Sequence, residues 1–370
     1  MPNNSVYENI ERRRKELGTE LTIMGHHYQA QKVIRHTDLR GDSLELARKV
    51  RQVASEHIVF CSVYFMAESA ALLARADQKV YLPEPSSECS MALMSPAQLL
   101  DKVLTTLGKK GRKIVPLTYV NSTLDVKAVV GRHGGSVCTS ANAELMLEWA
   151  MSRGDAVLFL PDKNLGHNTA DRLGLAAKER HLLNISRQGD RLDSEAADKA
   201  SLLLWPGFCA IHTRFNLQQI QRVRSQQPKA LVVVHPECEP EVVAASDANG
   251  STSFIIDFAE KLPAGSQLVI GTEINLVERL AEQHRGRIEI TPLVESACTH
   301  MAETTEESLS AAIDDLVRCK DGSCESAYRV HIAEDIKKPA QDALEQMLAA
   351  CAAAAEKKQG TGPDFTPSVK

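Results

Sequence analysis

Three short apolar runs in the chain end in the same chemical phrase: Ile23-Met24-Gly25-His26-His27-Tyr28, Val115-Pro116-Leu117-Thr118-Tyr119-Val120-Asn121 and Val232-Val233-Val234-His235-Pro236-Glu237. Short Val/Ile/Leu runs separated by helical patterns read as buried parallel strands, and they restrict the chain to an α/β fold. Alternate side chains of a strand point to one face, so His26 with Tyr28, Tyr119 with Asn121, and His235 with Glu237 each project together. Three such pairs read as three walls of one site.

The likeness between the stretches continues beyond these phrases. A second element rich in small polar residues follows each: Phe60-Cys61-Ser62, Val137-Cys138-Thr139-Ser140 and Gly250-Ser251-Thr252-Ser253. A third apolar run comes next, at Val80-Tyr81-Leu82, Ala156-Val157-Leu158-Phe159-Leu160 and Leu268-Val269-Ile270, and beyond each third run lies a cysteine: Cys89, Cys209 and Cys298. Internal periodicity of this kind points to three related units. It divides the chain into 1–90 plus 299–358 with the C-terminal helices, 91–208, and 209–298, followed by a disordered tail at 359–370.

A chain of 370 residues is long enough for two or three cores, which agrees with three units. With 43 basic against 48 acidic residues and no long basic block, nucleic acid is not an expected partner. No apolar stretch reaches the roughly 20 residues of a membrane span, and Met1-Pro2-Asn3-Asn4-Ser5 does not resemble a signal peptide, so a cytoplasmic location is expected. Nine cysteines in a reducing compartment point to buried, metal-binding or catalytic thiols rather than a disulfide framework.

Helical patterns are expected over Ser5–Leu17, Asn142–Ser152, Ser253–Glu260, Asn275–His284, Thr305–Val317 and Lys338–Glu356. Residues 164–200 carry many charges but little apolar periodicity, and they read mainly as loop and lid, which accounts for the longer spacing from Cys89 to Cys209. Cys61, Cys138, Cys238 and Cys351 read as small buried hydrophobes. Cys319 and Cys324, on a glycine-containing loop, read as exposed thiols, with a regulatory disulfide or accessory metal as alternatives.

Cys89, Cys209 and Cys298 differ in lying on turns after strand units. One thiolate from each unit could hold three corners of an iron–sulfur cube and leave one iron open as a Lewis acid. The chemical rival is a zinc ion held by the same cysteines with His300 or His212. A non-catalytic metal sensor would need a partner-binding element, which is not found. A thiol hydrolase using Cys138 or Cys89 with His235 is the remaining alternative.

The phrases together resemble one family. Gly25-His26-His27-Tyr28-Gln29, Gly41-Asp42-Ser43, Phe65-Met66-Ala67-Glu68, Tyr119-Val120-Asn121-Ser122, Cys138-Thr139-Ser140, Phe159-Leu160-Pro161-Asp162, Leu204-Trp205-Pro206-Gly207-Phe208-Cys209, His235-Pro236-Glu237-Cys238, Gly250-Ser251-Thr252-Ser253 and Gly271-Thr272-Glu273-Ile274-Asn275-Leu276 are similar, in this order, to quinolinate synthases of the longer subgroup. The resemblance implies three pseudo-equivalent αβα domains with short parallel sheets, arranged as a triangle around a central site. It further implies a 4Fe-4S cluster held by Cys89, Cys209 and Cys298, and a transferase that condenses iminoaspartate with dihydroxyacetone phosphate to quinolinate in NAD biosynthesis. L-aspartate oxidase would supply the iminoaspartate.

Binding residues carried over from the family are His26, Ser43, Tyr119, Val120, Asn121, Ser140, His235, Pro236, Glu237, Ser251 and Thr252. The hydroxyls of Ser43, Ser140, Ser251 and Thr252 are expected to cap helices and bind substrate anions at once. Glu237 is the expected general base, Tyr28 a second proton carrier, and His26, His235 and Tyr119 the groups that orient or polarise substrate oxygens. The chain departs from the family at Thr299-His300-Met301-Ala302, where a Pro, a Met and then a Lys are typical, at Tyr64 in place of His, and at Gly25-His26-His27-Tyr28 in place of Ala-His-Asn-Tyr.

Overall fold

The structure, a computed structural model, describes residues 4–109, 111–185, 192 and 194–359. The tail expected to be disordered therefore lies, beyond its first residue, outside the described residues. The strands are β1 (Leu21–His26), β2 (Leu39–Gly41), β3 (His57–Cys61), β4 (Lys79–Tyr81), β5 (Ile114–Tyr119), β6 (Ser136–Cys138), β7 (Ala156–Leu160), β8 (Arg180–Leu182), β9 (Leu202–Leu204), β10 (Leu231–Val234), β11 (Ala248–Asn249), β12 (Gln267–Gly271) and β13 (Glu289–Pro292). They form three sheets ordered β2-β1-β3-β4, β6-β5-β7-β9-β8 and β11-β10-β12-β13, with every pairing parallel. Helices flank each sheet, giving three αβα layers. The central strands are mostly apolar because both faces are covered: β3, β5 and β7 are buried at every position.

In each unit the first strand sits inside the sheet, the second pairs on one side of it, and the third on the other. The chain thus reverses direction across the sheet between the first and third strands, and loops at the carboxyl ends of these strands open onto one crevice. The order of the sheets corrects the sequence alignment of the repeat. Phe60-Cys61 belongs to β3, the equivalent of β7 and β12, whereas the partners of β6 and β11 in the first unit are the three residues of β2. With only Leu39-Arg40-Gly41 to show, and one of them exposed, β2 carries no apolar run to detect.

Among the described residues of 164–200, the chain is not mainly loop. They hold most of the helix Lys163–Arg172, the edge strand β8 and the helix Ser194–Lys199. The longer cysteine spacing therefore reflects an added strand at the edge of the second sheet. The C-terminal helices also divide between units. Glu306–Cys319 packs on the first helix, Asn4–Leu17, but Glu334–Gln359 packs mainly on the helix Leu124–Arg132 and on β6 of the second unit, with fewer contacts to the first. Gly131 permits that approach, since a Cβ there would meet the Pro339 carbonyl oxygen at 1.9 Å.

Cys61, Cys138, Cys238 and Cys351 are buried. Cys319 and Cys324 form a disulfide, the alternative to exposed free thiols. Among the described residues no helix is long and apolar enough to cross a membrane.

Candidate active site

The carboxyl ends of the three sheets converge on one cavity of about 700 Å³, its open mouth included. Each unit contributes three kinds of turn. The first strands, β1, β5 and β10, lead into His26 with Tyr28, Tyr119 with Asn121, and His235 with Glu237, and all six side chains line the cavity. The second strands lead into Ser43, Ser140 and Thr252. The fourth-position strands β4, β9 and β13 lead into Cys89, Cys209 and Cys298.

The expected residues that do not line the cavity are Val120, Pro236 and Ser251. Val120 and Pro236 lie between the paired residues, where the alternation of an extended chain turns their side chains elsewhere. Ser251 is the N-cap of the helix Thr252–Lys261, accepting from the Phe254 N–H at 3.3 Å. At the helix Ser43–Val50 the cap is Asp42, through the N–H groups of Leu44 and Glu45, and it lines the cavity together with Ser43.

His26 and His235 share one device. The Nδ1 of His26 accepts the N–H of Tyr28 at 3.1 Å, and the Nδ1 of His235 accepts the N–H of Glu237 at 3.4 Å. An acceptor at Nδ1 puts the ring proton on Nε2. Burial pushes both imidazoles down to about 3; the charges of His27 and Arg279 add to the effect at His26, and for His235 burial outweighs the opposing pull of Glu237. Both rings are therefore neutral N–H donors at physiological pH.

Glu237 is the electrostatic centre. It is 2% exposed, and burial alone would raise its pKa. The neighbouring His235 and His212, with hydrogen bonds from His212 and from the Tyr119 hydroxyl, more than offset this and hold the carboxyl well below the usual range. His212 Nδ1 lies 2.6 Å from the Glu237 Oε2 and 3.3 Å from the Cys209 Sγ, its Nε2 lies 3.1 Å from the Thr272 hydroxyl, and its ring stacks on His235 at 4.4 Å. The Thr272 hydroxyl is in turn 2.8 Å from that of Tyr28. Burial, with the Glu237 charge second, raises both Tyr28 and Tyr119 well above the ordinary phenol value, so both stay protonated. A continuous chain of hydrogen bonds therefore runs from Tyr28 through Thr272 and His212 to Glu237, joining the first and third units, and Tyr119 of the second unit faces Glu237 at its end.

Sequence reasoning gave His212 only the role of a rival zinc ligand. Its signal was its place three residues after Cys209, in a single helical turn that aims both side chains inward. His300, at the position where the chain departs from the resemblance, also lines the cavity and pairs with Glu303 at 3.3 Å.

All three cysteines are free thiols on the cavity wall. Burial pushes Cys89 up to about 12 and raises Cys209 and Cys298 as well, while backbone N–H groups one turn onward hydrogen-bond each sulfur and favour its thiolate. Among the described residues, the group whose ligand atoms all lie within 4.8 Å of one another is Cys209, His212 and Glu237, and not the three cysteines. Three free thiols on one cavity wall, one from each unit, are a donor set that could hold a metal centre.

The profile of the family described as quinolinate synthetase A protein matches residues 8–349, a stretch that contains every residue of this cavity. The chain belongs to this family. It is 40% identical to the quinolinate synthase of Streptomyces coelicolor over 91% of this chain and 86% of that one. It is 40% identical to that of Corynebacterium glutamicum over 95% and 89%, and 44% identical to that of Bacillus subtilis over 73% and 74%. The family is one of enzymes, and the central cavity, where its three units meet, is the candidate active site of this member.

Proposed function

We propose that the protein is a quinolinate synthase of NAD biosynthesis, a transferase that joins iminoaspartate to dihydroxyacetone phosphate and releases quinolinate, phosphate and two waters. The observation that carries this reading is the convergence of His26, Tyr28, Ser43, Tyr119, Asn121, Ser140, His235, Glu237 and Thr252 with three free cysteines on one cavity. Cys89, Cys209 and Cys298 would hold a 4Fe-4S cluster. When bound, that cluster supplies an open iron that acts as a Lewis acid in the dehydration.

The substrates are anions, yet the cavity lining among the described residues contains neither Lys nor Arg. Neutral donors take their place: the Nε2–H groups of His26 and His235, the hydroxyls of Ser43, Ser140 and Thr252, and the amide of Asn121. Glu237, ionised at all working pH values, removes a proton next to a substrate carbonyl. A carboxylate so well stabilised is a weak base, so its contribution rests on placement, and the His212 Nδ1–H that donates to it at 2.6 Å holds it in position. Tyr28, at the far end of the same chain of hydrogen bonds, returns a proton to a departing hydroxyl. Two carriers on one cavity wall let one proton be taken and another given. L-aspartate oxidase would supply the unstable imine, and a cytoplasmic location follows from that pairing.

The test is anaerobic reconstitution with iron and sulfide followed by assay with both substrates. Quinolinate and phosphate formed in equal amounts support the reading; a brown, folded protein that makes neither contradicts it. The triad Cys209, His212 and Glu237 favours a second reading, a single metal ion at that corner. It would give one ion per chain and no sulfide.

A further inference from the structure

Behind the three pairs of active-site residues runs a second threefold pattern, made of buried side chains that do not reach the cavity. In each turn the pair occupies the first and third positions, and the carbonyls at the second and fourth positions are gripped by one donor. In the third unit Asn168 donates to the carbonyls of Pro236 and Cys238, both at 2.8 Å, on either side of Glu237. In the first unit Arg279 donates to those of His27 and Gln29, the latter at 3.3 Å, on either side of Tyr28. In the second unit Lys127 donates to those of Val120, at 2.9 Å, and Ser122, on either side of Asn121. Asn168 is 2% exposed, Arg279 9% and Lys127 0%.

Two of the grips cross between units. Asn168 belongs to the helix after β7, and Arg279 to the helix Ile274–Gln283 after β12. One turn earlier on the same helices, Asn164 and Asn275 donate to the carbonyls of Glu237 at 3.3 Å and Tyr28 at 3.2 Å. All three carbonyls of each turn are thus held by the third helix of a neighbouring unit. Counted from the capping residues Asp162, Glu273 and Val63, the matching positions of the first unit's helix Tyr64–Leu73 are Phe65 and Ser69, which donate nothing to the second unit's turn. Lys127 takes over instead, its Nζ 5.3 Å from the Phe65 ring centroid, with burial pushing the amine down to about 7 against the opposing pull of Glu68.

We propose that Asn168, Arg279 and Lys127 are positioning residues, each fixing one pair of active-site side chains by clamping the carbonyls on both sides of the inner residue. A turn outside regular structure has no ladder to hold it, and its buried carbonyls need partners. One donor bridging two carbonyls locks the intervening residue in place. Because a trans peptide sets N–H opposite C=O, each clamp also turns the N–H of Tyr28, Asn121 or Glu237 away from itself. For Tyr28 and Glu237 that N–H is the one held by His26 or His235, so the clamp and the histidine grip the same peptide from its two ends. The assignment of roles rests on the proposed function, but the clamps themselves can be tested without it.

The variants are Asn168→Leu, Arg279→Met and Lys127→Met in the reconstituted full-length protein, with wild type alongside. Amide hydrogen exchange is expected to quicken at least tenfold in the one turn each residue grips and to stay unchanged in the other two. In the quinolinate assay Asn168→Leu is expected to lower kcat about 10- to 100-fold with KM within threefold, because it frees Glu237. Lys127→Met is expected mainly to raise KM, because it frees Asn121. Arg279→Lys, which keeps a charged donor, is expected to recover most of what Arg279→Met loses. Exchange that rises equally in all three turns, or not at all in a folded variant, overturns the clamps. Should Asn168→Leu fail to fold, Asn168→Ser, which shortens the donor's reach, carries the same expectation. A wild type that makes no quinolinate overturns the function, while the exchange pattern still decides the clamps.

Discussion

Replacing Glu237 with Gln isolates the charge of the proposed base from its shape. The side chain is buried against His212 at 2.6 Å and also takes the Tyr119 hydroxyl, so an amide of the same size keeps the packing and one acceptor oxygen. Losing a charge-assisted hydrogen bond costs about 1.5–3 kcal/mol, partly offset because a buried charge no longer has to be desolvated. The fold should therefore survive. Catalysis should not, since a positioned general base contributes about 10²- to 10⁴-fold, equivalent to roughly 3–5 kcal/mol of barrier. The assay is anaerobic reconstitution of Glu237→Gln and wild type in parallel, reading the visible absorbance of the cluster and the rate of quinolinate formation at saturating substrates. The expected result is unchanged absorbance with turnover lowered at least a hundredfold. Turnover within tenfold of wild type would refute the base assignment, and loss of the absorbance would recast Glu237 as part of the metal site.

Acid should weaken the fold through His26 and His235. Both are held at about 3 by burial, against 6.5 in an unfolded chain, so the unfolded state binds more protons between those values and stability falls as pH drops below about 6.5. The loss is about 2 kcal/mol per histidine at pH 5, measurable by urea unfolding at pH 8 and pH 5, and pH-independent midpoints would contradict it. Gly131→Ala should loosen the C-terminal helix by driving a methyl into the Pro339 carbonyl, lowering stability by about 1–3 kcal/mol and exposing residues 334–359 to limited proteolysis. Ser251→Ala should lower stability by about 1 kcal/mol, as loss of an N-cap does, with KM within twofold of wild type, whereas Thr252→Ala should raise KM; the reverse order would restore Ser251 to the binding set.

What could be read from the chain and what could not divide along a physical line. The first strands announce themselves because both faces are buried, which forces runs such as Val232-Val233-Val234, and the polar pairs that follow stand out against them. β2 and β8 were missed for the opposite reason: an edge strand of three residues, Leu39-Arg40-Gly41 or Arg180-His181-Leu182, has one side in solvent and no periodicity to show. Adjacent hydroxyl residues such as Ser251 and Thr252 also look alike in sequence. Only the helix start shows that the first caps and the second lines the cavity. His212, Lys127 and Arg279 are further cases. A charged residue on a helix reads as solvated surface, and nothing in the local pattern reports that two buried carbonyls of another segment require it.

The central claim is that Cys89, Cys209 and Cys298 together hold a cluster. Iron, acid-labile sulfide and zinc should be counted in protein purified without oxygen, for wild type and for each cysteine replaced by Ala. About four irons and four sulfides per chain, lost on removing any one of the three, is the expected result. One zinc per chain without sulfide, or iron that survives loss of any of the three thiols, would contradict it.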